Sequence, residues 1–514
     1  MGRPGFVLEV DERTPPLVVS DGDRFRLEKL PLGARVVYPA ESATPVVDVR
    51  EAVQAALDAP LGSDPLAARL HAGMKLTIAF DDTTTPVPRM RRPDIRGTII
   101  EAVLTRAARA GVDDVALICA NGLHRRLTDT ELLDILGERV FRSFFADGRL
   151  THHDAEDAEQ LAVVGSTDRG EIRINSRVAD SDLLIFVHVV TSPRGGGAVS
   201  TAVGLGSAAT IDQICGRQAT LDGGTAAPTI AALVSDAVDI FQIEAVLDSA
   251  AFPPSLAFLA KREWEWSMRE QAIWLAVRSS LALAPGKARR RLTNRAAAGY
   301  QPTRVLAGAP DQVDELAKAT VSAQQLVEVD GQADVGVIGV PQRTPYSTDS
   351  VTNPVLAAWM GLGATFNAHT GQPVVREGGA LILYHPLPAA FSSLHHPSYV
   401  DFFAEVLSVT GDPERIQTEF EAKFATDPWY IHLYRTSVAF HGVHPFYLWY
   451  QLAAARQHCS DIVWVGADRS SVERLGFRAA STLADALEIV ASTVGRSPRI
   501  TYLHSPPQLI ADIR

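Results

Sequence analysis

The feature that most constrains this chain is the alternation, through its first half, of short apolar runs with helix-length amphipathic segments. Lys75 to Phe80 has the pattern of a buried strand. Ile95 to Ala110 has helical spacing and stops at Gly111, and Val115 to Ala120 is the next strand. Thr128 with Glu131 three residues on is a capping box, opening a helix that carries Leu132, Leu133 and Leu136. Asp182 to Val190 supplies a third buried strand. Strand–helix order of this kind builds a parallel sheet covered by helices. Ligands of such sheets bind beyond the carboxyl ends of the strands, which is where Asp81-Asp82, His124 and the loop after Val190 fall.

A second block of the same kind begins near Ala333. Val335 to Val340, Gly379 to Tyr384 and Ile462 to Val465 read as strands, with a turn-rich stretch through Pro345 and Asn353 and a late helix from Leu483 to Val490. The predicted class is α/β: two α/β domains with parallel-type sheets and an interdomain cleft, plus a helical insertion at about 252–302. The expected division is 1–329 and 330–514. The insertion holds Trp264, Trp266 and Trp274, then the basic run Lys287-Ala288-Arg289-Arg290-Arg291. It reads either as a membrane-surface or partner-binding helix or as a hairpin packed on its own chain with a solvated basic turn.

Composition narrows the partners. A length of 514 residues calls for more than one domain, and a formal charge of −12 offers no global basic field for nucleic acid. The 3 cysteines, Cys119, Cys215 and Cys459, cannot build a disulfide framework and match no zinc spacing. Runs such as Leu183 to Val190 fall far short of the roughly 20 residues that span a bilayer. The start lacks the apolar core of a secretory leader, and its sixth residue is Phe6, not the Ser or Thr of a myristoylation signal. The expectation is a reduced, cytoplasmic protein acting on a small anion.

Three strand ends carry candidate chemistry. In Asp81-Asp82-Thr83-Thr84-Thr85-Pro86, hydroxyls and backbone N–H groups can hold a carboxylate or phosphate and Asp82 can orient a hydroxyl; the same residues also suit a helix N-cap. In Asn121-Gly122-Leu123-His124-Arg125, His124 suits a general acid or base with Arg125 beside it for an anion, or else a histidine that only ties the loop. Arg194 to Gly206 is glycine-rich; Gly196 and Gly197 allow backbone amides close to an anionic group, although neither dinucleotide nor P-loop spacing is present. Late histidines, His395-His396, His432, His441 and His444, either converge on a transition metal or are satisfied by protein groups. His444-Pro445, in an aromatic segment, stands out among them.

Taken in order, these stretches resemble the nickel-pincer lactate racemase family. Pro60 to Leu66 is similar to the segment before its first strand, Asp82-Thr83-Thr84-Thr85-Pro86 to its D-x-T-R-P signature, and Gly122-Leu123-His124-Arg125 to its G-T-H-R signature. His153-Asp154-Ala155 and Asn175-x-x-Val178-x-x-x-Asp182 continue in register. Glu377-Gly378-Gly379 and Gly476-Phe477 with Leu483 to Leu487 look like second-domain landmarks. The resemblance covers roughly 40–250 and 303–505. It implies an active site between two α/β domains, a 2-hydroxy acid substrate, a nickel-pincer nucleotide cofactor and hydride shuttling. His124 would be general base; Asp82, Thr84, Thr85 and Arg125 would bind substrate; Gly196 and Gly197 would bind cofactor.

The chain also departs from that pattern. The signature arginine falls on Thr85, and the lysine that tethers the cofactor falls on Val199. The second catalytic histidine is missing before the glycine-rich loop, where Thr191-Ser192-Pro193-Arg194 stands. The nickel-ligating histidine falls near Cys215, a soft metal ligand or a buried small hydrophobe, and a second-domain lysine falls near Trp359. The predicted function is that of a divergent isomerase, a racemase or epimerase moving a proton or hydride on a small 2-hydroxy acid. The alternative is a non-catalytic or nickel-free homologue that binds a small anion, or a partner protein through 252–302.

Overall fold

A computed structural model describes residues 3–348, 350–504 and 509–514, with backbone alone at 291–295. The apolar runs of the first half form one 6-stranded sheet in the order Pro302–Gly308, Ile240–Leu247, Leu183–Val190, Lys75–Asp81, Asp114–Ala120, Leu150–His152. All neighbours are parallel except the edge strand Pro302–Gly308, which runs antiparallel to Ile240–Leu247. Both faces are covered, which is why these strands are continuously apolar rather than alternating.

The period of two along each strand sorts side chains onto two cores. Leu76, Ile78 and Phe80 meet Ile99 and Val103 of the helix Ile95–Arg109. Ala79, Leu184 and Phe186 lie on the other face with Ala198 and Ala202 of the helix Gly197–Leu205. Continuing that alternation carries Asp81, His188 and Glu244 beneath the glycine-rich loop, and turns Asp82, one residue on, away from it. The capping box expected at Thr128 is present on the helix Asp129–Ala146.

The second sheet has 7 strands in the order Phe6–Glu9, Arg35–Tyr38, Ile500–Leu503, Ala333–Gly339, Val375–Tyr384, Asp461–Val465, Arg478–Ala480. It is parallel apart from the Phe6–Glu9 edge. The first strands of the chain, which the expected division gave to the first unit, are thus hydrogen-bonded into the sheet of the second. A smaller sheet joins Leu326–Val329, Ile510–Ile513 and His369–Thr370.

The 252–302 insertion consists of two short 3₁₀ turns and the helices Met268–Leu283 and Gly286–Arg295. Trp266 and Trp274 pack with Phe258, Leu259 and Val18 in one small core. Val18 belongs to the hairpin Leu17–Asp21/Arg24–Glu28, so the insertion covers that hairpin with its own apolar face. Buried Glu263 anchors it by accepting from Val18 N and from the Tyr38 hydroxyl at 2.8 and 2.9 Å. In the basic run, Arg289 pairs with Asp23 at 2.9 Å, and the Arg291 side chain lies outside the described residues.

The largest apolar core crosses between the halves. Leu123, Ala155 and Ile211 of the first join Val355, Leu356, Trp359, Phe440, Val443 and Phe446 of the second. Tyr434 reinforces the junction by donating to the Gly122 carbonyl at 2.6 Å, while Arg435 binds Asp154 at 2.8 Å. His124 is held at this seam.

Candidate active site at the seam

Asp81 and Asp82 end the central strand, and Arg96 fixes the turn they make. Its buried guanidinium donates to the Asp81 carbonyl at 3.0 Å and the Asp82 carbonyl at 2.5 Å, and is itself held by Asp94 at 2.8 Å. Asp94, not Asp82, is the N-cap of the following helix. The capping explanation of Asp82 is therefore corrected: helix N–H groups do not occupy it. Instead its Oδ1 accepts from the backbone N–H of Thr84 at 2.8 Å and from the Thr84 hydroxyl.

Oδ2 of Asp82 receives Nδ1 of His124 at 2.9 Å. Burial alone would raise the Asp82 pKa, but His124 and the two Thr84 hydrogen bonds hold it below the usual carboxylate value. A carboxylate can only accept, so the ring nitrogen donates, and the neutral imidazole keeps its lone pair on Nε2. The His124 side chain is 25% exposed against 4% for Asp82. The second half supplies the wall around this ring: Tyr346, Phe440 and His444 lie 5.2, 5.9 and 5.3 Å from it, centroid to centroid. Trp359 stacks obliquely behind Tyr346 at 4.9 Å. His396 stacks on Phe440 at 5.2 Å and bonds the Tyr346 carbonyl at 2.8 Å, fixing the backbone of that wall.

The other predicted residues are differently employed. Arg125 forms a bidentate pair with Glu131 at 2.6 and 2.9 Å, so its guanidinium is spent on the capping-box glutamate that Arg89 also binds at 2.6 Å. Thr85 is joined to Pro86 by a cis peptide and puts no guanidinium beside Asp82. Gly196 and Gly197 have φ of 96° and 54°, which favour glycine. The Gly197 N–H points at the chain's own Glu244 at 2.9 Å. Beneath it His188 pairs with Asp81 at 3.0 Å. Burial would lower the His188 pKa, but the carboxylates of Asp81, Glu244 and Asp314 outweigh it and push it up to about 9.

Among the late histidines, His396 and His444 converge on the seam. His441 instead bonds Glu156 at 2.9 Å, and His432 stacks on exposed Trp429 at 6.0 Å. Tyr346, Phe440 and Tyr399 were not singled out from the sequence. Their only advance signal was the aromatic setting of His444, because what gathers them is contact between segments far apart in the chain.

A histidine aligned by a carboxylate at the strand ends of an α/β fold is the class of site that this arrangement defines. Residues 26–218 match the family described as the lactate racemase N-terminal domain. A lactate racemase of Lactiplantibacillus plantarum is 29% identical over 168 residues, 32% of this chain. That match spans only 37% of the relative's own length.

Solved structures extend the likeness of fold. The lactate racemase apoprotein from Thermoanaerobacterium thermosaccharolyticum superposes with a TM-score of 0.61 at 16% identity, covering 97% of this chain and 100% of that one. A structural-genomics crystal structure of a Thermotoga maritima protein gives 0.52 at 13% identity, covering 92% and 100%.

The residues present do not fit a lysine-tethered nickel-pincer group. Val199, at the tether position, lies in the helix Gly197–Leu205 and carries no amine. Burial pushes the Cys215 thiol up to about 12. Among the described residues no three His, Cys, Asp or Glu side chains are grouped to hold a metal ion.

Proposed function

We propose that this chain acts on a small 2-hydroxy acid in a racemase- or epimerase-type reaction, with His124 as the acid–base residue. The observation that carries the reading is the Asp82–His124 pair, which leaves Nε2 without a partner among the described residues at the seam between the halves. The hydroxyl proton of a 2-hydroxy acid is the proton such a nitrogen takes and returns; inversion at the carbon would further need a bound hydride acceptor that takes the α-hydride and returns it to the opposite face. Asp82 fixes the ring and its tautomer and stabilises the imidazolium that forms. The rings of Tyr346 and Phe440 wall the imidazole, with Trp359 behind Tyr346. The match of residues 26–218 to the lactate racemase N-terminal domain and the likeness to a lactate racemase support this substrate class. We further propose a division of the chain near residue 330, with the N-terminal strands belonging to the second unit.

The test is chiral analysis of D- and L-lactate and a panel of other 2-hydroxy acids, using protein from a host that makes the nickel-pincer cofactor. Wild type is expected to interconvert the enantiomers of at least one acid, and His124→Gln to lose about 10²–10⁴-fold of that rate. No turnover by a folded wild-type sample across the panel overturns the reading. Metal analysis of the same sample decides the cofactor: near-stoichiometric nickel would mean that it is held without a lysine tether.

A further inference from the structure

We propose that His444 is a second catalytic residue of this site, a neutral imidazole whose Nε2–H donates to an oxygen of the hydroxy acid that His124 deprotonates. The inference rests on the functional reading above. It adds a residue from the other half of the molecule, outside the 26–218 family match, in a chain that has no histidine at the expected place before its glycine-rich loop.

Nδ1 of His444 is hydrogen-bonded to the buried Tyr399 hydroxyl. If the ring donated to the phenol oxygen, the phenol proton would need a further acceptor, and the Tyr399 hydroxyl has none among the described residues. A buried donor left unmade costs about 1–3 kcal/mol. Tyr399 therefore donates, His444 Nδ1 accepts, and the proton of the neutral ring sits on Nε2. At His124 the logic inverts, because Asp82 accepts from Nδ1 and leaves Nε2 as a lone pair. Two rings 5.3 Å apart and nearly perpendicular, at 83°, thus present opposite polarities: a base and a donor. Neither Nε2 has a protein partner among the described residues, and one small ligand with hydrogen bonds of about 2.8 Å at each end bridges such a pair.

The surroundings hold His444 in that state. Burial, then repulsion from His124, His396 and His441, takes its pKa well below the ordinary histidine value. The other groups on its ring, Tyr346 at 4.6 Å, Phe440 at 4.7 Å and Tyr399 at 5.9 Å, are uncharged. A neutral imidazole N–H is a competent donor to the alkoxide oxygen that loss of the hydroxyl proton leaves. One ring takes the hydroxyl proton, and the other holds the same oxygen or a neighbouring carboxylate oxygen.

The test combines nitrogen-15 NMR of histidine-labelled full-length protein with kinetics on the 2-hydroxy acid panel. The expected spectrum shows His444 as the Nε2–H tautomer at neutral pH, with mixed tautomers in Tyr399→Phe. His444→Phe is expected to lower kcat by about 10²-fold with little change in KM. His444→Gln, whose amide keeps an N–H donor, should recover to within about tenfold of wild type. An Nδ1–H tautomer at His444, or a folded His444→Phe that keeps wild-type kcat, overturns the proposal. If wild type turns over no acid, the functional reading fails and this role falls with it. The wild-type rate and the tautomer together tell that outcome from a failure of His444 alone.

Discussion

Asp81 and Asp82 are adjacent, and each holds a histidine by Nδ1: His188 at 3.0 Å and His124 at 2.9 Å. The two pairs join the same groups but differ in geometry and surroundings: the Asp82–His124 contact is a hydrogen bond, whereas the Asp81–His188 contact is an ion pair whose carboxylate oxygen accepts from Val189 N at 2.8 Å. Strand alternation sends Asp81 under the glycine-rich loop, where His188 meets two more carboxylates, Glu244 and Asp314, and Lys318 closes the cluster by binding Asp314 at 2.7 Å. Asp82 turns to the seam, where His124 meets aromatic rings and one other imidazole. Acidic surroundings make His188 a fixed cation that holds elements together. At the seam Nε2 of His124 has no protein partner among the described residues. The same histidine–carboxylate pairing thus meets different surroundings, and they set what it can do.

Arg96 is common to both pairs, so its loss should have the largest effect. Arg96→Ala strips both turn carbonyls and leaves Asp94 buried without its partner, which should cost about 3–5 kcal/mol in urea unfolding and disturb both histidines at once. Retention of both pairs, read by histidine NMR, would break the idea of a shared support.

Next is the pH response of the structural pair. The folded pKa of His188 is raised to about 9 against an ordinary value of about 6.5. Its stabilisation of about 2–3 kcal/mol is present below the ordinary value and is lost as pH rises through about 9. His188→Gln should flatten that alkaline limb of the stability profile. A limb unchanged in the variant would contradict the assignment.

Gly196→Ala should act on the same side only. A Cβ there would come within 2.3 Å of Asp314 Oδ1 and 3.1 Å of Glu244 Oε1, at a φ of 96°. The expected cost is about 1–2 kcal/mol, with turnover per folded molecule preserved. Thr84→Val should act on the other side only, removing one hydroxyl from Asp82 for about 1 kcal/mol and lowering turnover without moving the His188 titration.

Three strands of each sheet were legible, Lys75–Asp81, Asp114–Ala120 and Leu183–Val190 in the first and Ala333–Gly339, Val375–Tyr384 and Asp461–Val465 in the second, because strands buried on both faces carry apolar runs, and the cap at Thr128 because its hydrogen bonds are local. What escaped was long-range. Nothing local in Arg35–Tyr38 announces its pairing with Ile500–Leu503 at the other end of the chain. Glu131 was readable as a cap, yet the same carboxylate also binds Arg125 and Arg89, so the arginine next to His124 looked free for an anion. Asp82 and His124 were legible as strand-end residues. Their union with His444 was not, since it depends on two halves that meet only through the folded core.

The most direct test of the account sets His124→Gln beside His188→Gln in one assay: interconversion of hydroxy-acid enantiomers, measured by chiral chromatography per folded molecule. The account predicts a loss of about 10²-fold or more for His124→Gln, with His188→Gln within about threefold of wild type despite its lower stability. Equal losses in both, or a loss confined to His188→Gln, would contradict it.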